Sequence, residues 1–266
     1  MRTFMNNLRL FWQGALLSYI ALFHWLEPVT YAASKIVSPL AQILFFTFLG
    51  TYATGQSNAH FYVIGNAMQI AAVSGIFGVV MAIGGDRWNG TLPYLFGTPA
   101  NRSVLFFGRA FIHVLDGFLG VVIGFAWGVL LLHLDLGQTN LGLLALTIAV
   151  TTLSTCGLGL LMGCIGLITV NVMFVNNTVF YSLLIFSGAN IPVASLPGWM
   201  QAISYGLPLT RGIAAARALI TGAGWQEVAP LVGGELLVGM AYGFLGYILF
   251  AWFEMQAKRS GKLEAV

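Results

Sequence analysis

Long apolar runs alternate along this chain with short polar interruptions. Five of them, roughly 36–54, 60–83, 108–133, 141–167 and 229–253, approach or exceed the ~20 apolar residues a helix needs to cross the hydrocarbon core. A sixth, 172–191 (VMFVNNTVFYSLLIFSGANI), carries Asn176 and Asn177 in its first half and is apolar through its second. The stretch 5–27 reads differently. Its uninterrupted apolar part, Phe11 to Leu26, is short; Asn6, Arg9 and Gln13 recur on one side at helical spacing, and Pro28 closes it. That pattern predicts an amphipathic helix lying in the interface. Between 192 and 228, Pro192, Pro197, Trp199, Tyr205, Pro208 and Trp225 break the chain into apolar pieces too short to span. These pieces predict a pair of short helices that dip into the outer leaflet and return, with the tryptophans at headgroup level.

Composition fixes the solvent of these helices. Only 7% of the 266 residues are charged and 58% are hydrophobic, against about 25% charged in soluble domains; the mean hydropathy is +0.87. The expected fold is an all-α integral membrane protein: six transmembrane helices preceded by an N-terminal interfacial helix, with re-entrant helices between spans five and six. No small-x-small cleavage site follows the first apolar stretch, so it is expected to be retained.

Charge then orients the chain. With both termini inside, the inner side collects Arg2, Arg9, Lys35, Arg87, Arg102, Arg109, Lys258, Arg259 and Lys262, and the outer side only Arg211 and Arg217. Adding a seventh span would weaken that bias, so the positive-inside rule selects six. It also places GGDRWNGTLPYLFGTPANRS, residues 84–103, on the cytoplasmic face between spans two and three. Within it, Thr91 can start a short amphipathic helix, with Leu92, Leu95 and Phe96 on one face and Gly97-Thr98-Pro99 as its stop.

Catalytic signatures are missing from the sequence. There is no phosphate loop, since Gly261-Lys262 lacks its upstream glycine and continues with Leu263. There is also no H-E-x-x-H, no G-x-S-x-G and no metal-spaced cysteine–histidine set; His24, His60, His113 and His133 are scattered. Cys156 and Cys164, eight residues apart, sit ~12 Å apart along a helix and read as small core residues. Four polar positions inside the spans stand out. Arg109, His113 and Asp116 fall at i, i+4 and i+7 on one face of span three, and Glu235 lies ~9 Å inside span six. Intramembrane ionisable groups are candidates for function. A satisfied packing cluster, a polar substrate path and a proton relay all remain open for His113 and Asp116, and an ion pair with Arg211 or Arg217 for Glu235. Glycines at four-residue spacing (Gly120, Gly124 and Gly128; Gly159 and Gly163; Gly239 and Gly243) predict close helix approach, within the bundle or across a dimer.

Two motifs carry a resemblance. GDRWNGTLPYLFGTPANRS resembles the cytoplasmic segment of ABC-2-type ATP-binding-cassette permeases, in which an acidic-rich start leads into G-T-L and a T-P pair. Ser187-Gly188, Leu196-Pro197 and Pro208-Leu209-Thr210-Arg211, with Arg217 further on, resemble the P-L-x-R-x5-R end of the same family's signature. The order of features over nearly the whole chain is similar too. The resemblance implies a single domain, 1–266, with an interfacial helix at 5–27, a cytoplasmic coupling loop at 85–103 and an outer re-entrant segment at 192–228. In the coupling loop Asp86, Arg87, Gly90, Thr91, Leu92, Thr98, Pro99 and Arg102 inherit contact with the ATPase. Pro93 departs from the family, where many members carry a glutamate.

The resemblance further implies a permease subunit of an ATP-driven exporter in a prokaryotic inner membrane, itself not an enzyme, moving a hydrophobic or amphipathic, drug- or antibiotic-like compound. Its partners would be two ABC ATP-binding subunits, a second permease copy or homologue, membrane lipid and a small-molecule or lipid-like substrate, without nucleic acid. No metal or cofactor is expected on this chain, ATP and Mg²⁺ belonging to the ATPase. His113, Asp116 and Glu235 are candidates for the translocation path, and Pro197, Pro208, Arg211 and Arg217 for shaping the outer exit or holding lipid headgroups. Export of a glycan, lipid or lipo-oligosaccharide is the alternative on the same scaffold. An ion-coupled secondary transporter using Asp116 and Glu235, or a membrane immunity protein, stands further off.

Overall fold

A computed structural model describes residues 2–23, 27–55, 58–97, 101–169 and 171–260. They form α1 (Arg2–Phe23), α2 (Pro28–Thr54), α3 (Ala59–Ala72), a π-helical segment (Val73–Gly78), α4 (Val79–Trp88), α5 (Leu92–Gly97), α6 (Arg102–Leu132), α7 (Leu141–Ile168) and α8 (Val172–Phe186). A 3₁₀ turn (Val193–Ser195), α9 (Gly198–Gly206), α10 (Thr210–Ile220) and α11 (Trp225–Ser260) complete the chain. No strand occurs among the described residues.

The helix starts follow local chemistry. Asn101, Asn140 and Asn171 cap α6, α7 and α8, each side-chain oxygen accepting the N–H three residues on, from Val104 (3.3 Å), Leu143 (3.1 Å) and Phe174 (3.0 Å). Pro28 opens α2 in its first turn, where the missing N–H costs nothing. The break between the first two helices falls just ahead of Pro28, with Glu27 extended; α1 is described to Phe23, and residues 24–26, including His24, lie outside the described residues.

Among the described residues, five helices are long and apolar enough to cross a membrane: Val29–Thr54, Ala59–Arg87, Arg102–Leu132, Leu141–Leu167 and Trp225–Gln256. The second runs unbroken through the π segment. The sixth expected span is the apolar but shorter α8, of 15 residues. The two short helices expected between 192 and 228 are present as α9 and α10.

Helix 59–87 is the buried axis. Residues 62–72 are shielded throughout, and Val63, Ala67, Met68 and Ile76 are fully enclosed. The glycine rows decide how close its neighbours come. A Cβ on Gly124 or Gly128 of α6 would fall within 3 Å of Ile70 or Val63 of α3. On Gly159 of α7 it would lie 2.0 Å from the Gly75 carbonyl oxygen in the π segment. On Gly239 of α11 it would lie 2.5 Å from the Ser154 Cα of α7. These rows are spent within the bundle, of the two uses left open above.

The helix ends gather into two groups. At one lie the ends of α4, α7 and α11 and the starts of α6 and α8, with α5 beside them. At the other lie the starts of α3, α7 and α11 and the ends of α2 and α6, covered by α10. The 84–103 stretch and the 192–228 stretch thus sit at opposite ends of the bundle.

Gly159→Ala is expected to cost about 1–3 kcal/mol, because the added methyl meets backbone that cannot rotate away. Thermal unfolding of purified protein, followed by monodisperse elution, measures it; a melting curve superposable on wild type would refute that packing.

Candidate functional site

At the α4–α6 end, the residues of the 84–103 stretch do not form a free loop. Asp86 and Arg87 lie in the last turn of α4, a correction to the boundary expected at 85. The helix stops in a Schellman-type turn: the Thr91 N–H reaches the Asp86 carbonyl (2.9 Å) and the Gly90 N–H the Arg87 carbonyl (3.2 Å). Gly90 holds φ +66, a left-handed conformation that glycine takes without penalty. Thr91 also donates its hydroxyl to Asp86 Oδ1 at 2.8 Å. Leu92 then begins α5, where Thr91 was expected to start it. Thr98 and Pro99 lie outside the described residues.

Side chains tie this turn to the bundle. Asp86 Oδ2 pairs with Arg109 of α6, whose same nitrogen donates to the Ala82 carbonyl. Arg87 donates to the Leu167 carbonyl at the end of α7 (3.1 Å), and Arg102 pairs with Glu254 of α11. Arg109 therefore belongs to this end, apart from the His113–Asp116 pair whose face it was expected to share in function.

Fourteen residues into α6, ~21 Å along it, Asp116 is the meeting point of four elements. Its Oδ2 accepts from Lys35 of α2 and Ser74 of the π segment, both at 2.5 Å. Its Oδ1 accepts from Tyr19 of α1 at 2.6 Å, and Tyr19 in turn bonds Tyr31 of α2. His113, fully buried one turn away, packs against the Tyr19 ring and Gly78; neither of its ring nitrogens has a hydrogen-bond partner among the described residues.

At the opposite end, Glu235 makes no ion pair with Arg211 or Arg217, which corrects the pairing left open by the sequence. Its carboxylate accepts the N–H groups of Leu209 (2.5 Å) and Gly212 (3.1 Å), capping the buried N-terminus of α10, where the helix dipole favours a negative charge. Leu209 is held at φ +82 to present that N–H, and Pro208 is buried beside it. Arg217 donates to the carbonyls of Gly188, Phe61 and Ala189 at 2.9–3.1 Å and lies 3.5 Å from the Phe61 ring centre. Arg211 donates to the Tyr205 carbonyl at 2.6 Å. Pro197 precedes α9 as its N-cap.

Sequence reasoning missed Lys35, Ser74, Tyr19 and Tyr31 as partners of Asp116. Lys35 was counted only for topology, and no spacing along the chain links α1, α2 and the π segment to one carboxylate. Among the described residues, no three His, Cys, Asp or Glu side chains gather as metal ligands.

Two cavities adjoin these groups. One of about 530 Å³ lies between α1, the end of α4 and the start of α6, and includes Asp86, Thr91 and Arg109. The other, about 350 Å³ and almost wholly apolar, lies between α6, α7 and α11, with Phe107, Phe111 and Tyr247 on its walls.

Compared with known families, residues 14–221 match the family model described as ABC-2 type transporter. No curated protein matches the chain. The match takes in the second half of the first helix, the α4–α5 turn, the Asp116 cluster and α10.

Asp116→Leu is expected to cost on the order of 3 kcal/mol, because it leaves the Lys35 ammonium without its counter-charge in a largely buried setting. Adding Lys35→Met should return most of that loss. Unfolding of the single and double variants in bicelles gives the coupling; two single effects that simply add would refute the pair's role.

Proposed function

The chain belongs to the ABC-2 type transporter family, a multi-pass membrane component, and on that premise we propose that it is the permease subunit of an ATP-driven exporter. It works with a separate ABC ATPase, two copies serving two permease chains, and ATP with its Mg²⁺ is held there. The observation that carries this reading is the α4–α5 turn. Gly90 and Thr91 close α4 so that α5 stands at one end of the bundle. The last turn of α4 is bound to α6 through Asp86–Arg109 and to α7 through Arg87 and the Leu167 carbonyl, and α6 is tied to α11 by Arg102–Glu254. A turn connected in this way to the long helices can pass a push from a docked ATPase into the membrane.

In this reading the α4–α5 end is cytoplasmic, the excess of basic residues lying there, and α10 is at the outer face. Six spans cross, α8 together with the 187–191 turn completing the fifth, and α9 and α10 are re-entrant. The exported compound is hydrophobic or amphipathic. Ion coupling through Asp116 and Glu235 fits less well, since both carboxylates are engaged, one by Lys35 and the other by the start of α10.

Tagged protein purified from its host in mild detergent is expected to bring down a stoichiometric P-loop ATPase. Thr91→Trp, which removes the bond to Asp86 and places bulk on an exposed turn, should cut that recovery about tenfold while the permease still elutes as a single species. Recovery of intact permease with no ATPase would overturn the reading.

A further inference from the structure

We propose that the cavity between α1, α4 and α6 is a binding site for an amphiphile with an uncharged, oxygen-bearing head and an aliphatic tail. This deepens the permease reading and rests on it. At about 530 Å³, the cavity lies within the roughly 300–1,000 Å³ typical of small-molecule sites. Its lining is two-sided. Leu17 of α1, Met81 of α4 and Leu105 of α6 give an apolar wall, while Ser18, Asn89 and the Asp86–Arg109 pair give a polar one.

The chemistry of the head follows from what the polar wall has left to offer. Asp86 and Arg109 neutralise each other, and the second Asp86 oxygen is taken by Thr91. A charged head would therefore meet no spare counter-charge and would lose hydration without return. Hydrogen-bonding capacity, by contrast, is unspent. The Ser18 hydroxyl and the Asn89 carboxamide line the cavity and make no hydrogen bond among the described residues. Hydroxyl, ester or ether oxygens can pair with both. The tail lies against the leucines and Met81, next to the half-exposed face of α1.

Position gives the site a purpose. Its polar wall includes Asp86 and Thr91, the two residues that close the turn before α5, so displacement of α5 by an ATPase reshapes the wall that holds the head. The site thus receives its ligand at the cytoplasmic end and is altered by the same turn that receives the force.

The test uses the full chain in phosphatidylcholine nanodiscs with a diazirine-tagged monoacylglycerol. Probes with the same tail and a phosphate or trimethylammonium head serve as comparators, with adducts located by mass spectrometry. The neutral probe is expected to label residues 14–22, 81–91 or 105–109 about fivefold or more above either charged probe. Ala21→Trp, which fills the cavity from an exposed position on α1, should reduce that labelling by a similar factor with gel filtration unchanged. Equal labelling by all three heads, or labelling indifferent to Ala21→Trp, would overturn the proposal. No ATPase is present in the assay, so its failure is separable: a chain that captures an ATPase but labels without head preference loses the site and keeps the permease reading.

Discussion

A carboxylate in hydrocarbon must be satisfied by the protein, because no water is there to do it. Asp116 imposes this demand near the middle of α6, and three neighbouring elements answer it. Lys35 supplies the counter-charge from α2, Ser74 a hydroxyl from the π segment and Tyr19 a phenol from α1. Without that carboxylate, α1 rests on α6 through Phe11 and Trp12 against Phe111 and through the close approach of Gly14 and Gly108. With it, the first helix and the start of the second are fixed to the centre of the bundle at a defined depth.

The same demand explains the packing around it. Ser74 reaches Asp116 from a π-helical segment whose widened turn sits between α6 and α7. Such a segment leaves a carbonyl short of its usual helical donor, and Thr155 of α7 donates its hydroxyl to the Ala71 carbonyl. The approach is possible only because Gly75 and Gly159 face each other and Gly78 leaves room for the His113 ring. Small residues, a π turn and a buried charge are therefore parts of one arrangement: the charge needs the hydroxyl, the hydroxyl needs the turn, and the turn needs the glycines.

This logic also marks what could be read from the chain. The long apolar runs announced their helices because lipid leaves a spanning backbone few alternatives. The breaks announced helix ends where the breaker acts locally, as Thr91 does immediately before α5. Pro28 marked the boundary between the first two helices, and the structure adds that it also opens the second. Asp86 and Arg87 looked like loop residues because their polarity resembles a loop, whereas they finish a helix whose cap lies at Gly90. Glu235 suggested an ion pair because two arginines were near in sequence. The structure instead offers it two backbone N–H groups, a partner that leaves no trace in residue type. The convergence on Asp116 was illegible for a related reason: contacts between residues 19, 35, 74 and 116 have no period.

The two ends of the bundle differ in the kind of bond that holds them. At the α10 end the charged groups are spent on backbone: Glu235 on two N–H groups, Arg217 on three carbonyls and Arg211 on one. Main-chain partners inside packed helices cannot turn away, so this end moves as a block. At the α4–α6 end two of the ties are side chain to side chain, Asp86 with Arg109 and Arg102 with Glu254, and their exposure is partial. Side chains can rotate away from one another, as backbone partners cannot, so this end can rearrange without unwinding a helix. On the proposed permease reading, a force applied at α5 meets this end first, and the Asp116 cluster behind it ties α1 and the start of α2 to α6.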